Sequence, residues 1–208
     1  MRTAVVGIIL VLFGLGIAYA NDDELGLTIK KRSDEVVRES HGFEDKVRAL
    51  RQYVHKRMPF DPNLNPDKVY PLDTIQRLDS GLGGYCDQQA DVFMRLAQKQ
   101  GITTQKVWLY LRKHKDINDS CHTIAEALDG NRWVIVDPTL NLELKNKDGK
   151  MASRDDVTGD LDIIRRLPNF GELEKRAPCR KENSEEWLEI YSKRNPSRVD
   201  LYLRGDSN

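Results

Sequence analysis

The sequence has no surplus of charge. Its 33 lysines and arginines balance 33 aspartates and glutamates, so no overall field would gather the chain on nucleic acid or on an anionic membrane. Nucleic-acid binding is disfavoured on that ground. Internal repeats and low-complexity tracts are missing, which leaves an ordinary globular chain as the expectation. Aromatic residues make up only 7% and cysteines number three. No cysteine follows closely on the apolar N-terminus, so lipid attachment there is not supported. With 39% hydrophobic residues in 208, the chain is long enough to bury one real core.

The N-terminus reads as a targeting segment. Arg2 precedes an uncharged apolar stretch over residues 4–20, which ends in Ala18-Tyr19-Ala20 before the polar Asn21-Asp22-Asp23-Glu24. A basic start, an apolar middle and a small-x-small cleavage pattern are the parts of an export signal. The stretch is almost long enough to act as a membrane anchor instead, but the Ala-x-Ala pattern and Gly7, Gly14 and Gly16 favour cleavage. The expected product is periplasmic or secreted, with membrane contact only if the segment is uncleaved. Such compartments are oxidising, so an odd number of cysteines leaves one thiol over.

Residues 21–42 read as a polar leader, flexible to about residue 31 and then with one short helical stretch over 33–40. Val47, Leu50, Tyr53 and Val54 are spaced for one face of a helix over residues 43–58. Four prolines between 59 and 71 suit a loop, and 74–79 suits a helical turn. Ser80-Gly81-Leu82-Gly83-Gly84 interrupts the chain before a strong helix over residues 86–100, in which Ala90, Phe93, Met94 and Ala97 recur at helical spacing and Gly101 serves as the stop. Strands are expected over residues 106–111, 122–128 and 131–137, the last two flanking Asp129-Gly130, a dipeptide suited to a two-residue hairpin turn. Residues 141–160 are polar and read as the rim of an open cleft, as does the charged loop 112–119. A short apolar piece spans 161–167, a helix is expected over 185–193 and a last strand over 199–203. Helices followed by antiparallel strands indicate an α+β fold.

Cys86 opens the strong helix. A helix N-terminus and a neighbouring histidine both favour a thiolate, and the amide at that terminus can donate to a developing oxyanion. Gly83 and Gly84 would let the backbone approach a substrate. A buried structural thiol is the plainer alternative for Cys86, but a free thiol surviving export after such a turn is easier to understand as functional. If Asp129-Gly130 forms the two central residues of the turn, Leu128 faces Asn131 and His122 falls opposite Asp137. Opposed residues share a face with Cβ atoms about 4.5–5.5 Å apart. A carboxylate so placed can orient the imidazole and leave its other nitrogen for the thiol. Alone, His122 would be read as a core histidine and Asp137 as a turn-former before Pro138; together with Cys86 they make a candidate Cys-His-Asp triad.

Gly84-Tyr85-Cys86-Asp87-Gln88-Gln89-Ala90, Gly101-Ile102, His122-Thr123-Ile124-Ala125-Glu126 and Asn131-Arg132-Trp133-Val134-Ile135-Val136-Asp137-Pro138-Thr139 resemble, in order and spacing, the core of transglutaminase-like domains. The resemblance covers residues 43–140. It implies a papain-like arrangement in which a helix bearing the cysteine packs on an antiparallel sheet bearing the histidine and acid. It further implies that Cys86 is the nucleophile, His122 the general base and acid, and Asp137 the orienting residue, with no cofactor and no metal. A second oxyanion donor is not decided between Gln76 and Tyr85, and Trp133, on the strand face of Asp137, is a candidate for substrate contact or for simple packing. Residues 141–208 are a C-terminal extension expected to pack on the core.

The reading is therefore a cysteine-dependent hydrolase, a peptidase or amidase, acting on a protein or peptide substrate in the cell envelope. The alternatives are a protein-glutamine transamidase that cross-links proteins and a binding module that has lost turnover. Because side chains alternate along a strand, Cys121 points away from the face of His122 and should pair with Cys179, leaving Cys86 free. Asp116, Asn118 and Asp119 lack the ligand count of a calcium site, and Arg204-Gly205-Asp206 resembles an adhesion tripeptide by its letters alone.

Overall fold

The computed structural model describes residues 24–61, 63–64, 74–110, 122–168, 190–193 and 197–201. Helix α1 spans residues 24–36: it begins within the stretch expected to be flexible and ends before the end of the short helix expected over 33–40. Its polarity hides a narrow stripe: Ile29 is buried in the core, with Leu25 and Val36 half-buried against it. Ser33 donates to the Leu96 carbonyl at 2.8 Å. Those contacts supply the tertiary packing on which a short helix depends. Helix α2 (Gly42–Arg57) buries Val47, Leu50, Arg51 and Val54. A short α3 (Thr74–Ser80) leads to the glycine turn, and α4 (Cys86–Gln98) buries Ala90, Val92, Phe93, Met94, Leu96 and Ala97.

Four antiparallel strands follow, β1 (Thr104–Leu109), β2 (His122–Asp129), β3 (Arg132–Val136) and β4 (Ser197–Leu201), in the spatial order β3-β2-β1-β4. Between β3 and β4 lie two short helices, α5 (Arg154–Gly159) and α6 (Asp162–Arg165). Period-two alternation divides the sheet's side chains between two cores. Ala125, Ala127, Val134 and Val136 join the helical core of α2 and α4, and the two alanines are small enough for α4 to lie close on β2. Val107, Leu109, Ile124 and Ile135 face the other way and are covered by residues of the C-terminal extension, including Leu142, Leu144, Val157, Ile164, Ile190 and Tyr191.

The fold is α+β, as the order of elements indicated, but two local expectations change. The hairpin pairs Asp129 with Arg132 and Leu128 with Trp133, a register two residues away from the expected one. The central turn residues are Gly130 and Asn131, and Gly130 adopts φ 60°. A turn with glycine as its first central residue, as in type II′, accounts for the difference, whereas the expected turn put Asp129 there. Because the shift is an even number, every side chain keeps its face. Residues 141–160 also depart from the expected cleft rim: Leu142, Leu144, Met151 and Ala152 are buried, and the backbone of Ala152 bonds to those of Ile135 and Leu144 at 2.9 Å. The sparse apolar residues of that segment were enough to seal the sheet.

Candidate functional site

Cys86 is the first residue of α4 and is half-buried. Its position is fixed by the turn before it. Gly84 forms a parallel bridge with Phe60 and donates to the Pro59 carbonyl at 3.0 Å. A Cβ on Gly83 would lie 2.7 Å from that carbonyl oxygen, and one on Gly84 would lie 2.5 Å from Cε of Met58. The two glycines thus serve close packing of the chain on itself. Arg77 of α3 donates to the Gly83 carbonyl at 2.9 Å. Gln88 accepts from the Tyr85 amide at 3.0 Å, and Gln89 donates to the Met58 carbonyl. Helix start and turn are held as one unit.

His122 opens β2, and Asp137 follows the last residue of β3. Both are wholly buried, and His122 Nε2 lies 2.8 Å from Asp137 Oδ2. The register places His122 diagonally from Asp137, on a shared face that the two-residue shift preserved. The carboxylate is further fixed by the Leu140 amide, which donates to Oδ1 at 2.9 Å, and by the Tyr191 hydroxyl, which donates to Oδ2 at 2.6 Å. The turn carrying Asp137 is braced from α2. Arg51 donates to Asn141 Oδ1, the Leu142 carbonyl and Glu143, and His55 Nδ1 lies 3.1 Å from the Pro138 carbonyl.

Burial by itself would depress a histidine. Here the charge of Asp137 and its hydrogen bond, joined by the nearby Cys86 sulfur, outweigh it and raise His122 from 6.5 to about 10. Burial pushes Asp137 up, but the His122 charge and the bonds from His122, Tyr191 and Leu140 hold it below the usual carboxylate value. Tyr191 is raised well above 10 by burial and by the Asp137 charge, so its hydroxyl stays protonated and acts as a donor. Nδ1 of His122 has no full hydrogen bond to any described residue and is the ring nitrogen left for a thiol. Unbound sites commonly show such looseness between base and nucleophile.

The structure therefore brings Cys86, His122 and Asp137 into one neighbourhood, as the sequence led one to expect. It adds Tyr191, which no local pattern signalled. Gln76 is exposed on α3, and the Tyr85 hydroxyl donates to the Leu64 carbonyl, an engagement that speaks against Tyr85 as a free oxyanion donor. Trp133 is half-buried opposite Leu128. Cys121 and Cys179 lie outside the described residues, as do the apolar N-terminus and the acidic loop at Asp116, Asn118 and Asp119. Among the described residues, no group of three or more histidines, cysteines or carboxylates could hold a metal ion, and no helix is long and apolar enough to cross a membrane.

Comparison with solved structures gives partial likenesses at low identity. A candidate cysteine protease from Cytophaga hutchinsonii is 17% identical, with a TM-score of 0.46 over 61% of this chain and 40% of that one. A candidate protease from Parabacteroides distasonis is 14% identical, with a TM-score of 0.45 over 53% and 23%. A protein titled a TGase is 18% identical, with a TM-score of 0.43 over 58% and 32%. The chain thus spans less than half the length of each of these three. No curated protein matches it. The sequence profile of the transglutaminase-like superfamily matches residues 30–138. That stretch is more than half of the chain and runs from α1 to the residue after Asp137, and by it the chain belongs to the transglutaminase-like superfamily.

Proposed function

We propose that the protein is a cysteine-dependent hydrolase of amide bonds or carboxamide side chains in proteins or peptides, working in the cell envelope through Cys86, His122 and Asp137. The observation that carries this reading is the buried 2.8 Å contact between His122 Nε2 and Asp137 Oδ2, with the other ring nitrogen left on the side of a half-exposed cysteine at a helix N-terminus. A core histidine would satisfy both nitrogens with protein partners. This one does not.

In the proposed reaction the Cys86 thiolate adds to the carbonyl carbon, and the amide at the start of α4 stabilises the oxyanion. The His122 imidazolium then gives its Nδ1 proton to the leaving nitrogen as the C–N bond breaks, leaving a thioester on Cys86. Water attacks the thioester, His122 takes up one of its protons, and the C–S bond breaks to release the carboxylic acid, which ionises in solvent, and to restore the thiolate–imidazolium pair. Asp137 stays ionised and holds the ring in orientation throughout. Export to the envelope follows from the N-terminal sequence alone.

The test is to incubate the protein with a library of peptide amides and quench it in acid. A mass increase on Cys86 equal to the acyl fragment, together with amine release that Cys86→Ala abolishes, supports the reading. Undiminished release by Cys86→Ala would sink it.

A further inference from the structure

Asp137 Oδ2 accepts two hydrogen bonds from opposite parts of the chain, from His122 at 2.8 Å and from the Tyr191 hydroxyl at 2.6 Å. Tyr191 is wholly buried, and its ring meets the imidazole edge-on, with centroids 6.1 Å apart at 71°. Its backbone is held as well. Buried Arg154, the first residue of α5, donates to the Tyr191 carbonyl at 3.3 Å and to the Ser192 carbonyl at 2.9 Å. A buried hydroxyl fixed at both ends and aimed at an ionised carboxylate is a charge-assisted donor.

Two donors on one oxygen compete for its charge. With His122 neutral, the full carboxylate charge is available and the phenol bond is strong; once the ring is protonated, the imidazolium takes most of that charge and the phenol bond weakens. The phenol therefore favours the neutral ring and opposes the pull of Asp137 on the proton. An acid that holds its proton too tightly is a poor donor to a leaving amine.

We propose that Tyr191 is a positioning residue for the His122–Asp137 pair: its hydroxyl fixes the shared carboxylate oxygen and tempers the grip of the imidazole on its proton. This rests on the roles proposed above for His122 and Asp137. Among the described residues, the other titratable or charged groups that interact with the pair are Cys86 from α4 and Arg51 from α2, whose charge acts on Asp137. The β1 residue opposite His122 is Leu109, which brings no charge. The C-terminal extension thereby acts on the site through one side chain, a role beyond covering the sheet.

The experiment is an NMR titration of 15N-labelled imidazoles in the full chain, with the His122 signal assigned by its loss in His122→Ala. In Tyr191→Phe the His122 midpoint should rise, and where a substrate is in hand kcat should fall about ten-fold with KM nearly unchanged. A residue that merely filled space would leave the midpoint where it was. An unchanged or lowered midpoint in Tyr191→Phe overturns the proposal. Should that variant fold poorly, site-specific 3-fluorotyrosine at position 191, a stronger donor of the same shape, is expected to lower the midpoint; no change there also overturns it. Asp137→Asn separates the two readings. If it fails to lower the His122 midpoint, the pair itself is misread, whereas a normal response there with none from Tyr191 defeats this inference alone.

Discussion

Arg51 in α2 and Asn141 in the turn after β3 are joined by a 3.0 Å hydrogen bond, which ties the turn that follows Asp137 to the helical layer. Asn141 adopts φ 52°, a left-handed conformation that asparagine tolerates better than most residues. The same guanidinium also bonds the Leu142 carbonyl and Glu143. Arg51 is 1% exposed, so no water can replace it. Arg51→Ala should cost about 3–5 kcal/mol, the range for breaking a buried charged network. Arg48, half-exposed and paired with Asp45 and Glu143, should cost no more than about 1 kcal/mol as Arg48→Ala. Urea denaturation of both variants checks the contrast, and equal losses would contradict it.

The turn before Cys86 makes a second prediction. Met58 is wholly buried, and a methyl group at position 84 would meet its Cε and Sδ at 2.5 and 3.1 Å. Gly84→Ala should therefore destabilise by about 1–3 kcal/mol. Part of that should return when Met58→Ala makes room, so the double variant should lose less than the sum of the singles. Gly83→Ala has no such remedy, because the obstacle is the Pro59 carbonyl, and Met58→Ala should not help it. Thermal melts of the wild type, the three single variants and the two double variants decide the matter.

How far the sequence foretold this site depended on the range of the interaction. Local periodicity placed α4 with Cys86 at its first residue, and alternation put His122 and Asp137 on one face. The hairpin register came out two residues away, since Asp129-Gly130 and Gly130-Asn131 are both acceptable turn centres and only the packing of the sheet chooses. Parity protected the conclusion. Tyr191 stayed hidden because a tyrosine 54 residues from Asp137 carries no local mark of so distant a partner. The helicity of residues 24–32 was missed for the same reason, since the stripe of Leu25, Ile29 and Val36 becomes meaningful only against the core that includes Leu96 of α4.

The pH dependence of stability follows from His122. Its folded value is raised from 6.5 to about 10, so the folded state binds this proton more tightly than the unfolded one. Its contribution is fully present below about 6.5, declines as pH rises, and is lost once pH passes about 10. Asp137, lowered in the fold, contributes above its ordinary value and loses that contribution as pH falls through the folded one. Urea midpoints should therefore decline on the alkaline side from about 6.5 upward. In His122→Ala that decline should be shallower, and an identical slope would show that His122 is not its source.

Asp137→Asn is expected to keep the fold and lose rate. The amide can still accept a hydrogen bond but carries no charge to hold the imidazolium, so the alkaline limb of kcat should move down from about 10 toward 6.5. The rate itself should fall by up to roughly 10⁴-fold, the scale of an equivalent change in a serine triad. A pH–rate profile of the variant measures both effects, and an unmoved alkaline limb would show that Asp137 does not set the proton affinity of His122.

The last prediction concerns what takes the acyl group from Cys86, and water is expected to do so more often than an amine. Selecting an amine requires water to be kept from the thioester. His122 and Asp137 are wholly buried, whereas Cys86 is half-exposed, so the residue that would bear the thioester is less enclosed than the pair that would serve it. The chain also has only three tryptophans and five phenylalanines with which to wall off a tunnel. The apolar residues of the 141–160 segment that might have lined a cleft, Leu142, Leu144, Met151 and Ala152, are buried in the cores. A reactive acyl donor supplied with a labelled primary amine at millimolar concentration should yield mostly hydrolysed product, and both hydrolysis and conjugation should vanish in Cys86→Ala. A majority of stable amine conjugates, dependent on Cys86, would replace the hydrolase reading with a cross-linking one.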